Sequence, residues 1–314
     1  MLKMAGMTVT ATAFAAAETA LSIPVLDAHI HLFDPLRPGG VLWPEETDAV
    51  LYKPALPQRY MHEAARLGVV GAIAVECSPL GSDNQWLLNL AAHHPEMVGV
   101  VGNLDPCAEN FRADLERLHG DPLFLGFRYG NLWGRDLAAD LSKPGFMDGL
   151  KALAEAGLTL ESANPDPRLI GALRRVADAV PTLRVVVDHL PHAVVPAERA
   201  ARDAWWADLQ ALAATPRVFI KLSEIPLRDH GKLVTARSAY QPALDALWAV
   251  FGEDKVIFGS DWPNSDHVAS YAETFAIVQS YMATKTTAAR EKYYWRNSLA
   301  AYRWRPRTAL QPAN

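Results

Sequence analysis

Val25-Leu26-Asp27-Ala28-His29-Ile30-His31-Leu32 is a short apolar run that closes on two histidines. Such a run suits a strand buried on both faces. Side chains alternate along a strand, so His29 and His31 point to the same side. Two imidazoles on one face at a strand's end can grip one metal ion, or can simply be satisfied polar groups. No glycine-rich turn follows this strand, as it usually does in a doubly wound dinucleotide-binding sheet.

Outward from this stretch the chain alternates between short apolar runs and amphipathic segments. Further strands are expected at Val69–Glu76, Met97–Gly102, Leu123–Phe127, Leu158–Glu161, Arg184–Asp188, Val218–Leu222 and Val256–Gly259. Between them, Phe146, Leu150 and Leu153 form a helical stripe, as do Leu169, Leu173, Val176 and Val180. Leu244, Leu247, Trp248 and Phe251 line a third helix. Asn164, Pro165 and Asp166 supply a helix start, and Gly157 a stop. Eight such units predict a (β/α)8 TIM-like barrel, one domain over 22–314, with an extra C-terminal helix from Thr286 to Tyr302 packed outside. The long stretches Asp34–Lys53 and Ser223–Ala239 then fall at the C-terminal rim, where barrels place their catalytic groups.

Composition narrows the classes. The 314 residues are half hydrophobic and 21% charged, which excludes a disordered chain. Two cysteines make neither a disulfide scaffold nor a multi-cysteine zinc module. A net charge of −5 carries no basic footprint for nucleic acid. No run reaches the ~20 apolar residues of a membrane span. The expected partner is therefore a small molecule, with the chain a monomer or homodimer. Residues 1–21 differ from the rest: they are Ala- and Thr-rich, and Ala15-Ala16-Ala17 resembles the small-residue region of an export signal. Met1-Leu2-Lys3 matches the end of a twin-arginine motif without its arginines. The segment reads either as a leader remnant, which would place the protein in the periplasm, or as a loose extension of a cytoplasmic protein.

Ionisable residues stand at further strand ends: Asp188-His189 after Val185–Val187, and Gly259-Ser260-Asp261-Trp262-Pro263 after Val256–Phe258. Burying such groups costs several kcal/mol unless they are paired or coordinated. Three such ends in one chain point to a site.

The order H-x-H, D-H, G-S-D-W-P resembles the amidohydrolase superfamily, and within it the lactonase branch of fuconolactone, rhamnonolactone and sulfomuconolactone hydrolases and 2-pyrone-4,6-dicarboxylate lactonase. Phe124-Leu125-Gly126-Phe127-Arg128 is similar to that branch's R-G-V-R-like segment, and Phe219-Ile220-Lys221-Leu222-Ser223 to its K-L-S strand. Arg296-Asn297-Ser298-Leu299-Ala300 with Tyr302 resembles its closing helix. The resemblance implies Asp261 as general base and later acid. It implies His29, His31 and His189 around the substrate carbonyl or, with Asp261, around one divalent ion, Zn²⁺ or Mn²⁺. Some members of the branch work without a metal. Arg128 at strand four cannot bridge two metals, so a binuclear site is not expected.

Other residues are readable only as alternatives. Arg128 can polarise the carbonyl, grip a carboxylate, or be structural. Glu161 can bind a ligand, accept from substrate, or pair with Arg128. Lys221 can meet substrate oxygens or cap a barrel network. His192 and Arg228 can line the mouth, and Trp43, Trp133 and Trp262 can stack on a ring, with Trp262 the strongest of the three. Glu76 either disfavours a dianionic substrate or forms an ion pair. Asp188 is expected to point away into packing. The expected activity is lactone hydrolysis, with non-oxidative decarboxylation or lactone isomerisation on the same barrel as the alternative, and a non-enzymatic binding protein as a third reading.

Overall fold

Eight parallel strands form one sheet in strict chain order: β1 (Val25–Ile30), β2 (Val69–Val75), β3 (Met97–Gly102), β4 (Phe124–Arg128), β5 (Thr159–Ser162), β6 (Arg184–Val187), β7 (Val218–Leu222) and β8 (Val256–Phe258). The computed structural model describes residues 23–163 and 166–313. The leader-like segment and the Asn164-Pro165 start signal lie outside the described residues.

The sheet closes at the two stretches richest in polar residues. Ile30 bridges Trp262 in parallel. The Asp261 amide donates to the His29 carbonyl at 2.9 Å, and the His31 amide to the Trp262 carbonyl at 2.7 Å. Asp27 reinforces this seam from the outer face. Its Oδ1 accepts from the Ser260 amide at 2.9 Å, and its Oδ2 from the hydroxyls of Tyr60 and Tyr271 at 3.0 Å each. The fold is the expected TIM-like barrel.

One long helix follows each strand: α1 (Pro57–Ala64), α2 (Ser82–His93), α3 (Phe111–His119), α4 (Phe146–Glu155), α5 (Arg168–Ala179), α6 (Arg199–Ala214), α7 (Arg237–Phe251) and α8 (Tyr271–Met282). The helical stripes are buried as their spacing requires, among them Phe146, Leu150 and Leu153 on α4 and Leu169, Leu173 and Val176 on α5. Helix α8 starts at a capping box, Ser270 and Glu273 satisfying each other's backbone amides. None of the helices among the described residues is long and apolar enough to cross a membrane.

The core has two layers. One lies between strands and helices. The other fills the barrel, with Leu26, Ile73, Val75, Leu125, Val186 and Ile257 inside it. The expected C-terminal helix is present, and it joins both layers: Tyr293 and Tyr294 pack in the outer one, and the rest reaches the inner one. It is helical from Thr287 to Tyr302, with one wide turn at Lys292–Arg296. Trp295, Tyr302 and Trp304 press onto the inner layer, because a barrel open at its N-terminal end would expose those apolar residues. Asn297 donates to the carbonyl of Val256, and Arg184 and Thr159 both donate to the carbonyl of Ala301. The tail is therefore the floor of the barrel.

Candidate active site

At the opposite end, three imidazoles converge on one carboxylate oxygen. The Nε2 atoms of His31, His29 and His189 lie 3.2, 3.5 and 3.8 Å from Asp261 Oδ1. Asp261 Oδ2 accepts from the Asn264 amide at 2.7 Å. Oδ1 itself is buried and has no hydrogen-bond partner. His31 is oriented by its Nδ1, 3.0 Å from the Val75 carbonyl, and His189 by its Nδ1, 2.9 Å from the Ser223 hydroxyl. These four residues come from the ends of β1, β6 and β8, as the sequence placed them.

Beneath lies a layer of buried charge. Lys221 Nζ is 2.7 Å from Glu161 Oε1, 3.1 Å from Asp188 Oδ1 and 3.0 Å from His29 Nδ1. Tyr302 reaches up from the floor and donates to Glu161. Arg128 donates through Nε to Glu76 Oε1 at 2.7 Å and through Nη2 to the Glu76 carbonyl at 2.6 Å, while Nη1 faces His29 Nε2 at 3.5 Å. Trp133 donates to the other Glu76 oxygen at 3.0 Å. Arg128 is therefore partnered by Glu76, and Glu161 by Lys221. Asp188 does not turn away into outer packing as expected. It faces Lys221, with Arg128 Nη1 3.7 Å from its second oxygen.

The electrostatics follow from burial and these neighbours. Burial works to raise the Asp261 pKa, but His189, His31 and Asn264 outweigh it and hold the group at about 2. Burial lowers His189 to about 4 against the opposing pull of Asp261. Burial, then the charge of Lys221, holds His29 well below the usual histidine range. At neutral pH the site thus presents an anionic carboxylate to the neutral imidazoles of His29 and His189. Burial and Asp188 push Glu161 up to about 7, with Lys221 opposing.

A pocket of about 260 Å³ opens over Asp261, bordered by His31, Trp43, Arg128, Trp133, His189 and Glu224. Four residues of this mouth hold positive φ: Trp133 (59°), His189 (51°), Glu224 (56°) and Asp261 (61°). Such backbone costs on the order of 1–3 kcal/mol per residue and gathers at functional sites. Cys77 also borders the pocket, but burial raises its thiol pKa, so it is no ready nucleophile.

The donor set fits one divalent ion. Ligand atoms of His29, His189 and Asp261 lie within 4.8 Å of one another, and the unpartnered Asp261 oxygen faces them. One condition attaches to His29. An ammonium has no acceptor, so with Lys221 donating to Nδ1 the neutral ring carries its proton on Nε2. Ligation by Nε2 requires that contact to give way to the one between Nδ1 and Asp188, now 3.5 Å.

The remaining expectations divide. Trp43 and Trp133 do border the mouth. Trp262 does not: it is fully buried, its ring against Tyr60 and beneath the Arg59 guanidinium. The left-handed turn at Asp261 carries the following ring outward between barrel and helices, so it has no face for substrate. His192 borders a neighbouring cavity rather than this one. Arg228 is exposed on a small hairpin, Arg228–Asp229 with Lys232–Leu233, and donates to the Val268 carbonyl. The sequence reading missed Glu224 and Asn264. An acidic residue directly after the K-L-S run was the only available signal for Glu224.

A polar site at the C-terminal mouth of such a barrel defines a class. The amidohydrolase family profile matches residues 26–304, and the chain belongs to that family. It is 31% identical to an L-fucono-1,5-lactonase of Burkholderia ambifaria over 244 residues, covering 76% of this chain and 80% of the relative. It is 27% identical to an L-fucono-1,5-lactonase of Burkholderia multivorans, covering 88% and 94%. A solved amidohydrolase from Burkholderia multivorans with bound zinc superposes with a TM-score of 0.77 at 24% identity, covering 90% of this chain and all of the other. The chain is an enzyme, a hydrolase of this family.

Proposed function

We propose that this enzyme hydrolyses the cyclic ester of a lactone, derived from a sugar acid or an aromatic catabolite. The observation that carries the reading is the unpartnered, buried Asp261 oxygen facing three imidazoles at the base of the pocket. The lactonases among its relatives support it.

Asp261 takes a proton from the attacking water. Negative charge then grows on the former carbonyl oxygen, where the His29 Nε2–H and the one Arg128 nitrogen turned toward that ring can receive it. Asp261 returns the proton to the departing ring oxygen, which becomes the hydroxyl of the product acid. A divalent ion, zinc or manganese, held by His29, His31, His189 and Asp261 would supply Lewis acidity and lower the pKa of the attacking water. Arg128 is neutralised by Glu76, so the pocket offers no surplus cation to a dianion. This supports a neutral sugar or aryl lactone as substrate. Lys221 and Glu161 hold His29 from below.

The test is a panel of sugar and aryl lactones followed by acid release. Stoichiometric acid from at least one lactone is the expected result. Release of CO₂ from a carboxylated substrate without lactone opening would transfer the site to decarboxylation. Interconversion of lactones without acid would make it an isomerase.

A further inference from the structure

A second cavity, of about 270 Å³, adjoins the first and shares His189 and Glu224 with it. Ligand pockets run from about 300 to 1,000 Å³. Each cavity alone falls just below that range, and the two together fall within it. Its lining is mostly apolar, with Leu169 and Ile170 from α5, Leu190 and Val194 from the turn after β6, and Trp205 from α6, while Asp166, Asp188 and His192 join His189 and Glu224 as its polar residues. None of the apolar side chains is used by the chemistry proposed above.

Two further observations point to a ligand. At the lip, Val194 stands 48% exposed, an apolar surface leading inward. The two residues between the cavities, His189 and Glu224, both hold positive φ. The partition is thus itself made of strained backbone.

We propose that the second cavity is a subsite for an apolar substituent of the lactone, an alkyl chain or aryl ring packed among Leu169, Ile170, Leu190, Val194 and Trp205. The substrate then spans both cavities, with its ester over Asp261 and its substituent past His189. The inference rests on the lactone-hydrolase reading for its chemistry and on the second cavity for its specificity.

The experiment compares γ-butyrolactone with γ-alkyl and γ-phenyl butyrolactones on the full chain and on two variants. Ile170→Phe fills the cavity from its base, and Val194→Trp blocks the exposed lip without touching the core. In the parent enzyme kcat/KM should rise about fourfold per buried methylene. Each variant should flatten that rise and leave γ-butyrolactone unchanged. A flat series in the parent, or variants that slow every lactone equally, would overturn the subsite. Val194→Trp keeps the test open if Ile170→Phe does not fold. Should no lactone be opened, calorimetric binding of the γ-phenyl lactone separates the two readings. Binding weakened tenfold or more by Val194→Trp upholds the subsite while the hydrolase reading fails, and absence of binding removes both.

Discussion

The ammonium of Lys221 lies 3.0 Å from Nδ1 of His29, fully buried and 192 residues away in the chain. This contact joins the charged layer beneath the site to the imidazole above it. It decides which nitrogen of His29 bears a proton, and so whether Nε2 turns an N–H toward the site or offers a lone pair to an ion.

Removing Lys221 should therefore be severe. Lys221→Met would leave Glu161 and Asp188 buried without their common partner. Breaking one side of a buried ion pair costs about 3–5 kcal/mol. Urea denaturation followed by circular dichroism should show a loss of that size. A loss below about 1 kcal/mol would mean that the layer is relaxed by water.

Asp261→Asn keeps the volume and the hydrogen bonds of the turn but removes the base. Turnover should fall by about 10²–10⁴, the usual contribution of a positioned acid–base group. Thermal stability should stay near that of the parent. Retention of full activity would assign the base elsewhere.

Gly259 is the residue that lets β8 approach β1. A Cβ there would lie 2.7 Å from the His29 Cβ. Gly259→Ala should push His29 off its position and cut kcat more than it raises KM. A variant with unchanged kcat would show that the imidazole has room to move.

Acid should weaken what His29 and His189 contribute to the stability of the metal-free protein. His29 and His189 are held below their usual pKa by burial, His189 at about 4. As pH falls through about 6.5 the unfolded chain takes up protons that the folded one refuses. The histidines' contribution is thus full above about 6.5 and declines toward about 4, while Glu161, raised to about 7, contributes in the opposite sense as it takes up its proton. Chemical denaturation across that window should show the parent losing stability relative to His189→Asn as the pH falls.

Protein purified without added metal should carry about one equivalent of zinc or manganese, lost together with activity on chelation and restored by either ion. His31→Ala should lower the metal content. Full activity in metal-free protein would leave carbonyl polarisation to the histidines and Arg128.

Much of this was readable from sequence, for a physical reason. Strands buried on both faces must be apolar runs, so a polar residue at their C-terminal end stands out. His29, His31, His189 and Asp261 were visible in that way. Side-chain direction after a strand ends was not. Asp188 was expected to point away because it precedes His189, yet β6 ends at Val187 and the left-handed turn at His189 brings both residues inward. The same effect at Asp261 turned Trp262 outward. The pairing of Arg128 with Glu76 rather than Glu161 depends on which neighbouring strand supplies the nearer carboxylate, and composition does not encode that choice. Tyr302 was placed on the correct helix, but its reach into the barrel depends on the tail's docking beneath the strands.

That docking has a bearing on how the enzyme comes into being. Ribosomes deliver β5 long before Tyr302, so through most of translation Glu161 lacks the phenol that will cap it. The charged layer is finished only when the helical tail arrives from below. The site is therefore complete only once Tyr302 has been made, and a product truncated before it would leave the barrel unsealed and its central carboxylate without that phenol.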